Sequence, residues 1–198
     1  MIVTREDGTL RVVTQSDHAR TAAEVLSLWR AGGLPDHPRR KDLLFAVREH
    51  DNGWRETDAA PRVDPESGAP YDFLDLPDDH RRELWERGAR RYAGDRPAVG
   101  ALIVRHALAL HRDRRTDPAW TGLLERLDEL LEELLERSGY AFEELDADYP
   151  WLALADSISL RACGALGSSF AAAGTRVERR ADAPTLDPFP FAGATTFS

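Results

Sequence analysis

The sequence predicts a mostly α-helical bundle with a small β-sheet formed by an N-terminal hairpin and a C-terminal tail. Three observations predict it. Six stretches between residues 15 and 166 repeat apolar residues at three- and four-residue spacing, the period of a half-buried helix. Residues with β preference gather at the two ends of the chain. The 198 residues are 42% hydrophobic and 31% charged, and a globular chain of that size buries roughly 70% of its unfolded surface. The whole of 1–198 reads as one domain.

Residues 2–5 and 10–14 flank Asp7-Gly8, a pair suited to a two-residue hairpin turn. Thr14 or Ser16 can cap a first helix, whose stripe of Ala22, Val25, Leu26 and Trp29 runs to Gly32-Gly33. A second helix covers 38–50, with Pro38 in its first turn and Leu43, Leu44 and Val47 inward. Residues 52–77 are irregular, with Asn52-Gly53 followed by Pro61, Pro65, Pro70 and Pro77. So long a connection is a functional lid or a disordered strip. Residues 57–77 are the candidate lid, with Trp54, Tyr71 and Phe73 to close over a small substrate; wrapping the bundle is the plainer role.

Helical pattern resumes at 78–93, 97–112 and 118–138. The last carries Leu123, Leu127, Leu130 and Leu134, a seam for another helix of the chain or for a homodimer. A final helix spans 150–166. The tail, 175–178 and then 185–198, is broken by Pro188 and Pro190 and can pair with the hairpin.

Composition excludes several classes. The net charge is −9, which argues against sequence-independent nucleic-acid binding. Of the 26 basic residues only Lys41 is lysine; the arginine excess suits phosphate handling but follows more simply from GC-rich coding. No apolar run approaches the ~18 residues of a membrane span, and residues 1–15 do not read as a secretory signal. Cys163 stands alone, so neither an internal disulfide nor a CxxC zinc site is available. The expected compartment is the cytoplasm.

The chemistry lies in polar residues on apolar helix faces. His18 shares the side of Ala22, Val25 and Trp29, and His50 ends the second helix with Asp51 beside it. His106 has Leu102, Ile103 and Leu110 around it, and His80 shares a side with Leu84 and Gly88 on a more polar helix. Any one of these histidines alone reads as a hydrogen-bonded core residue. Asp156 is harder to explain that way, because Leu152, Leu160 and Cys163 surround it and Arg161 lies off its face. A carboxylate among leucines costs several kcal/mol unless it is paired or bound to a cation. A transition metal, Zn, Fe, Mn or Co, would compensate all of these groups together. His111, about 140° around the helix from His106, His37 in a loop and the packed thiol of Cys163 are left outside the site.

In order, His18, His50-Asp51, His80, His106 and Asp156 spell H…HD…H…H…D, which resembles the HD-domain superfamily; HDNG at 50–53 is similar to its HD-x-G turn. The resemblance implies an HD-like bundle in which His18, His50, Asp51 and Asp156 hold one metal. Asp51 would bridge to a second metal held by His80 and His106. Many hydrolases of that superfamily have a phosphate-contacting Lys after HD-x-G, where this chain has Trp54 and then Arg55. More closely, QSDHA at 15–19, EHDNGW at 49–54, RHALAL at 105–110, ADSISL at 155–160 and DPFPF at 187–191 resemble the domain of unknown function 3891 family along nearly the whole chain.

Three functions follow. The first is metal-dependent hydrolysis of a small phosphoester or nucleotide by a metal-activated hydroxide, a small anionic substrate helped by Arg55 or the Arg39-Arg40 pair, with Asp51 and Arg55 catalytic. The second is a di-iron oxygenase cleaving a C–C or C–P bond, which the resemblance to HD domains also covers. The third is a non-catalytic, metal-stabilised binding module.

Overall fold

Asp7 and Gly8 both take positive φ, 47° and 78°, and turn β1 (Ile2–Glu6) back onto β2 (Thr9–Val13) as the sequence predicts. The computed structural model describes residues 1–166, 169–179 and 183–193. Thr14 then caps α1 (Gln15–Ser27), its hydroxyl accepting from Asp17 N at 3.0 Å. After α2 (Arg40–Glu49) and the short α3 (Arg55–Ala59), the main bundle continues with α4 (Asp78–Arg91) and α5 (Pro97–Leu110). α6 (Pro118–Ser138) has the expected bounds: Asp117 caps it, Pro118 fills a first-turn position that needs no N–H, and Gly139 at φ 62° stops it.

α7 (Phe142–Ala162) begins eight residues before the expected start at 150. Pro150 lies inside it rather than in its first turn. The added turns are held by tertiary contacts, with Leu145 fully buried and the Asp148 carboxylate bound by His37 and Tyr140. α1 packs on α2 and α7, and α2 and α7 both reach α5. Those four helices supply every group of the site described below.

Leu123, Leu127, Leu130 and Leu134 are buried inside the chain, where α6 lies along α5. Of the two partners expected for this seam, another helix of the chain or a second copy, the structure shows the first. The expectation of one sheet joining the hairpin to the tail is corrected. β3 (Phe170–Ala172), β4 (Thr175–Arg179) and β5 (Pro184–Asp187) form their own antiparallel sheet, separate from β1 and β2. The reason is local: Ala173-Gly174, at φ 47° and 73°, closes a two-residue turn that pairs β3 with β4 at little entropic cost. Of the expected tail, residues 194–198 lie outside the described residues.

The candidate lid acts as a strap. Trp54 is in the core, Tyr71 and Phe73 pack against it, and the segment is pinned to the hairpin by Phe73 N–H to Met1 O and Val3 N–H to Asp72 Oδ2, both 2.9 Å. Among the described residues no helix is long and apolar enough to cross a membrane.

Candidate metal centre

Four helices each bring polar groups to one point because each places them on its buried stripe. His18 comes from α1, His50 and Asp51 from the end of α2, His106 from α5 and Asp156 from α7. The turn after α2 is tight against α4. A Cβ on Gly53 would come within 2.1 Å of Leu84 O, so glycine is required there. Asn52 Nδ2 donates to Glu49 O at 2.9 Å and Gly88 O at 3.1 Å, which fixes the direction in which His50 and Asp51 leave the helix.

The imidazoles are almost fully buried: His18, His50 and His106 are 0, 1 and 2% exposed. His18 Nε2 stands 2.9 Å from Asp156 Oδ1 and 3.7 Å from Asp51 Oδ2; His50 Nε2 stands 3.4 Å and 3.3 Å from the same two oxygens. The His106 ring meets His50 edge to face at 5.0 Å. Ligand atoms of His18, His50 and Asp51, and of His50, His106 and Asp156, lie within 4.8 Å of one another.

Hydrogen bonding fixes which nitrogens face this cluster. Val47 O is 2.6 Å from His50 Nδ1; a carbonyl only accepts, so Nδ1 carries the proton. Ser159 donates its own hydrogen to His18 O at 2.8 Å, which leaves its oxygen to accept from His18 Nδ1 at 2.9 Å. Both neutral rings therefore present an Nε2 lone pair to carboxylate oxygens. Neither Nε2 has a hydrogen-bond partner despite its burial, so these short approaches bring electron-rich atoms together unless a proton or a cation lies between them.

The electrostatics agree. Burial works to lower the His50 pKa, yet the Asp51 and Asp156 carboxylates outweigh it and hold His50 well above 6.5. His18 is raised too, burial being overcome by Asp156 and Cys163. Burial works to raise Asp156, but His18 and His50 hold it well below 3.8, and Asp51 is lowered against burial by the same two rings. His106, by contrast, is pushed down to about 4 by burial and by the neighbouring His50 charge. The pocket favours positive charge between the carboxylates. Imidazole Nε2 atoms and carboxylates with second partners holding the rings are the donor set of a divalent transition metal.

Asp51 also lines a cavity of about 130 Å³ whose walls include Arg20, Arg48 and Arg55. That is room for a small oxyanion or a few waters. Arg55 is held by the Glu49 carboxylate, which also accepts from Tyr92 OH at 2.8 Å.

Five of the predicted ligands thus converge. His80 is the correction: it lies at the start of α4, with Nδ1 2.8 Å from Asp79 Oδ1 and 3.5 Å from Arg62, and joins neither ligand group. The Asp79 side chain in the same first turn captures it. His111 stacks on Trp120 at 4.4 Å and gives Nδ1–H to Ala107 O, in keeping with its exclusion. Sequence reasoning missed Ser159 and Tyr149, whose hydroxyl is 3.4 Å from His106 Nδ1. Both share the α7 face of Asp156, at three residues after it and seven before, so the helical period held the signal once the helix start was right.

The chain matches the family described as Protein of unknown function (DUF3891) over residues 1–196. It belongs to that family. No curated protein matches the chain, and no solved structure does. The resemblance seen in the motifs from QSDHA to DPFPF is thereby borne out, and the family's description carries no activity.

Proposed function

We propose that this member of the family is an HD-type, metal-dependent hydrolase of a small phosphoester or nucleotide, holding one divalent ion through His18, His50, Asp51 and Asp156. One observation carries the reading: two buried Nε2 lone pairs face the buried Asp51 carboxylate and the partly buried Asp156 carboxylate with no hydrogen bond to satisfy them. Burying such groups without a counter-charge costs several kcal/mol. A divalent ion bound there would supply Lewis acidity and lower the pKa of a water from ~15.7 towards ~7.

The rest falls to the chain. Ser159 and Val47 O hold the His18 and His50 rings with Nε2 inward. Arg20 and Arg48, at the wall of the cavity that reaches Asp51, would draw a phosphoryl group to it, Arg20 held in place by Asp17 at 2.8 Å. Arg55, engaged by Glu49, braces that wall and adds positive charge to it. His106, neutral at pH 7 with a pKa of about 4, packs its ring against His50 at 5.0 Å and would help to hold it in place. A di-iron oxygenase needs a full second ligand set, and of the two histidines expected for it only His106 is at the cluster. One ion and hydrolysis are therefore better supported. A free Cys163 suits a reducing cytoplasm.

The test is elemental analysis of protein purified without chelators, followed by turnover of small phosphoesters with Mn, Zn, Co and Fe. About one ion per chain is expected, with His50→Ala/Asp51→Ala losing both the ion and turnover. Full metal stoichiometry in that variant, or a wild-type chain without metal whose melting ignores chelation, would end the assignment. A loaded chain inert towards every phosphoester would leave a metal-stabilised module in place of the hydrolase.

A further inference from the structure

A second and larger cavity, of about 980 Å³, lies on the other side of the His18 ring, between α1, α7, β2 and the C-terminal tail. Its apolar walls are Val25 from α1, Ile158 from α7, and Leu186, Phe189 and Phe191 from the tail. The floor is Ser159 and the buried thiol of Cys163. Ser159 is polar in name only here, because its hydroxyl is already spent on His18 O and His18 Nδ1. Phe189 is 60% exposed although it meets Phe191 edge to face at 5.4 Å, so part of this apolar wall is open to a ligand.

Charge is confined to the rim. Arg20 is neutralised by Asp17 at 2.8 Å, and Arg11, on β2, has no ion-pair partner among the described residues. On a chain of net charge −9, an uncompensated guanidinium at the mouth of an apolar pocket selects for a negative head group. The volume is at the upper end of the range for small-molecule sites, and an apolar body with few fixed polar contacts is their usual composition.

We propose that this cavity binds an amphipathic monoanion of the medium-chain fatty-acid type, its alkyl chain against the Phe189–Phe191 wall and its carboxylate on Arg11. The cavity adjoins the metal centre through Ser159, but none of the proposed metal ligands lines it, so the proposal does not rest on the hydrolase reading.

Titration calorimetry with decanoate, and with 1-decanol as the uncharged counterpart, tests this on the full chain. Saturable binding of one decanoate is expected, with Arg11→Ala weakening decanoate about tenfold, the loss of roughly one charge-assisted contact, and leaving 1-decanol unchanged. Ala162→Trp, at an exposed position on the cavity wall, should abolish binding of both with an unaltered circular dichroism spectrum; Phe189→Ser provides the same check by removing a wall. His50→Ala, deficient in metal, should bind decanoate as the wild type does, which separates this proposal from the hydrolase reading. Absence of saturable binding overturns the proposal. So does an equal loss of both ligands in Arg11→Ala, or a dimer that Phe189→Ser dissociates and decanoate leaves intact, since a second chain would then fill the groove.

Discussion

Among the described residues, two histidine–aspartate contacts of nearly the same length do opposite things. In one, His37 Nε2 lies 2.8 Å from Asp148 Oδ1. Its Nδ1 accepts from Arg39 N–H at 3.2 Å, so Nε2 carries the proton and donates it to Asp148. The other Asp148 oxygen accepts from Tyr140 OH, and Arg39 caps the Tyr140 ring at 4.2 Å. Every polar atom is served by the protein itself, and the result is a clasp between the loop before α2 and the start of α7. At the second contact, His18 Nε2 and Asp156 Oδ1 are 2.9 Å apart, but in the neutral ring the proton is on the other nitrogen. The distances are alike and the proton positions are not. A His–Asp pair is a clasp when its donors and acceptors alternate, and a candidate cation site when two acceptors face each other.

The sharpest way to break this comparison is to remove one aspartate of the clasp. Asp148→Ala should destabilise the fold by about 2–4 kcal/mol, because it strands a buried Tyr140 hydroxyl and a half-buried imidazole, and should leave metal stoichiometry unchanged. Denaturant melts paired with elemental analysis check both halves. Loss of metal in Asp148→Ala would show that the clasp and the centre are one unit. Next in size is Ser159→Ala, which frees the His18 ring to rotate or change tautomer. Second partners of metal-bound histidines are worth roughly 10–100-fold in metal affinity, and competition with a chelator should show a loss in that range with little change in stability.

Proton linkage separates the two contacts again. His50 is held above 6.5 in the folded chain by Asp51 and Asp156. In the metal-free protein its charge therefore stabilises the fold fully below pH 6.5, and that contribution is lost as the pH rises through the raised folded value. Asp156 runs the other way: its contribution is present above 3.8 and lost as the pH falls through its lowered folded value. The metal-free chain should thus weaken as the pH climbs above neutrality, while a bound ion replaces the departed proton. The gap in melting temperature between loaded and metal-free protein is expected to widen from pH 6 to 9, at roughly 2–4 °C per kcal/mol for a chain of this size. A constant gap would mean that protons and metal do not compete for the cluster.

How much of this was legible depended on whether the signal was local. Helices with a clear 3.6-residue stripe were readable, α6 to the residue, because capping and periodicity at Asp117, Pro118 and Gly139 agree. The start of α7 was not, because Pro150 carries the local mark of a first turn and the contacts that extend the helix back to Phe142 come from His37 and Tyr140. β3 is three residues long and owes its pairing to the turn at Ala173-Gly174. In the site, His18, His50, Asp51, His106 and Asp156 stood out as polar residues on apolar faces. His80 looked similar, yet its helix buries Leu84, Trp85, Gly88 and Ala89 while the first turn remains polar and offers Asp79 as a partner. Tyr149 and Ser159 were hidden for another reason: a hydroxyl on a helix face does not announce which ring it will hold. His37 read as a loop residue outside the site because Asp148 is brought to it only by the packing of α7.

The gentlest change tests the alternation rule itself. Tyr140 OH donates to the Asp148 oxygen that His37 does not use, and burial together with the Asp148 charge pushes the phenol's pKa far up. Tyr140→Phe keeps the ring under Arg39 and removes one donor, while Asp148 retains His37. A single hydrogen bond to a charged acceptor is worth about 1.5–3 kcal/mol when it is fully buried, and here the His37 side, 20% exposed, admits water that can replace part of it. The expected loss is therefore about 1 kcal/mol, with metal content and chelator sensitivity unchanged. Were the loss as large as that of Asp148→Ala, His37 would add nothing to the clasp, and proton alternation would not be what distinguishes the two contacts.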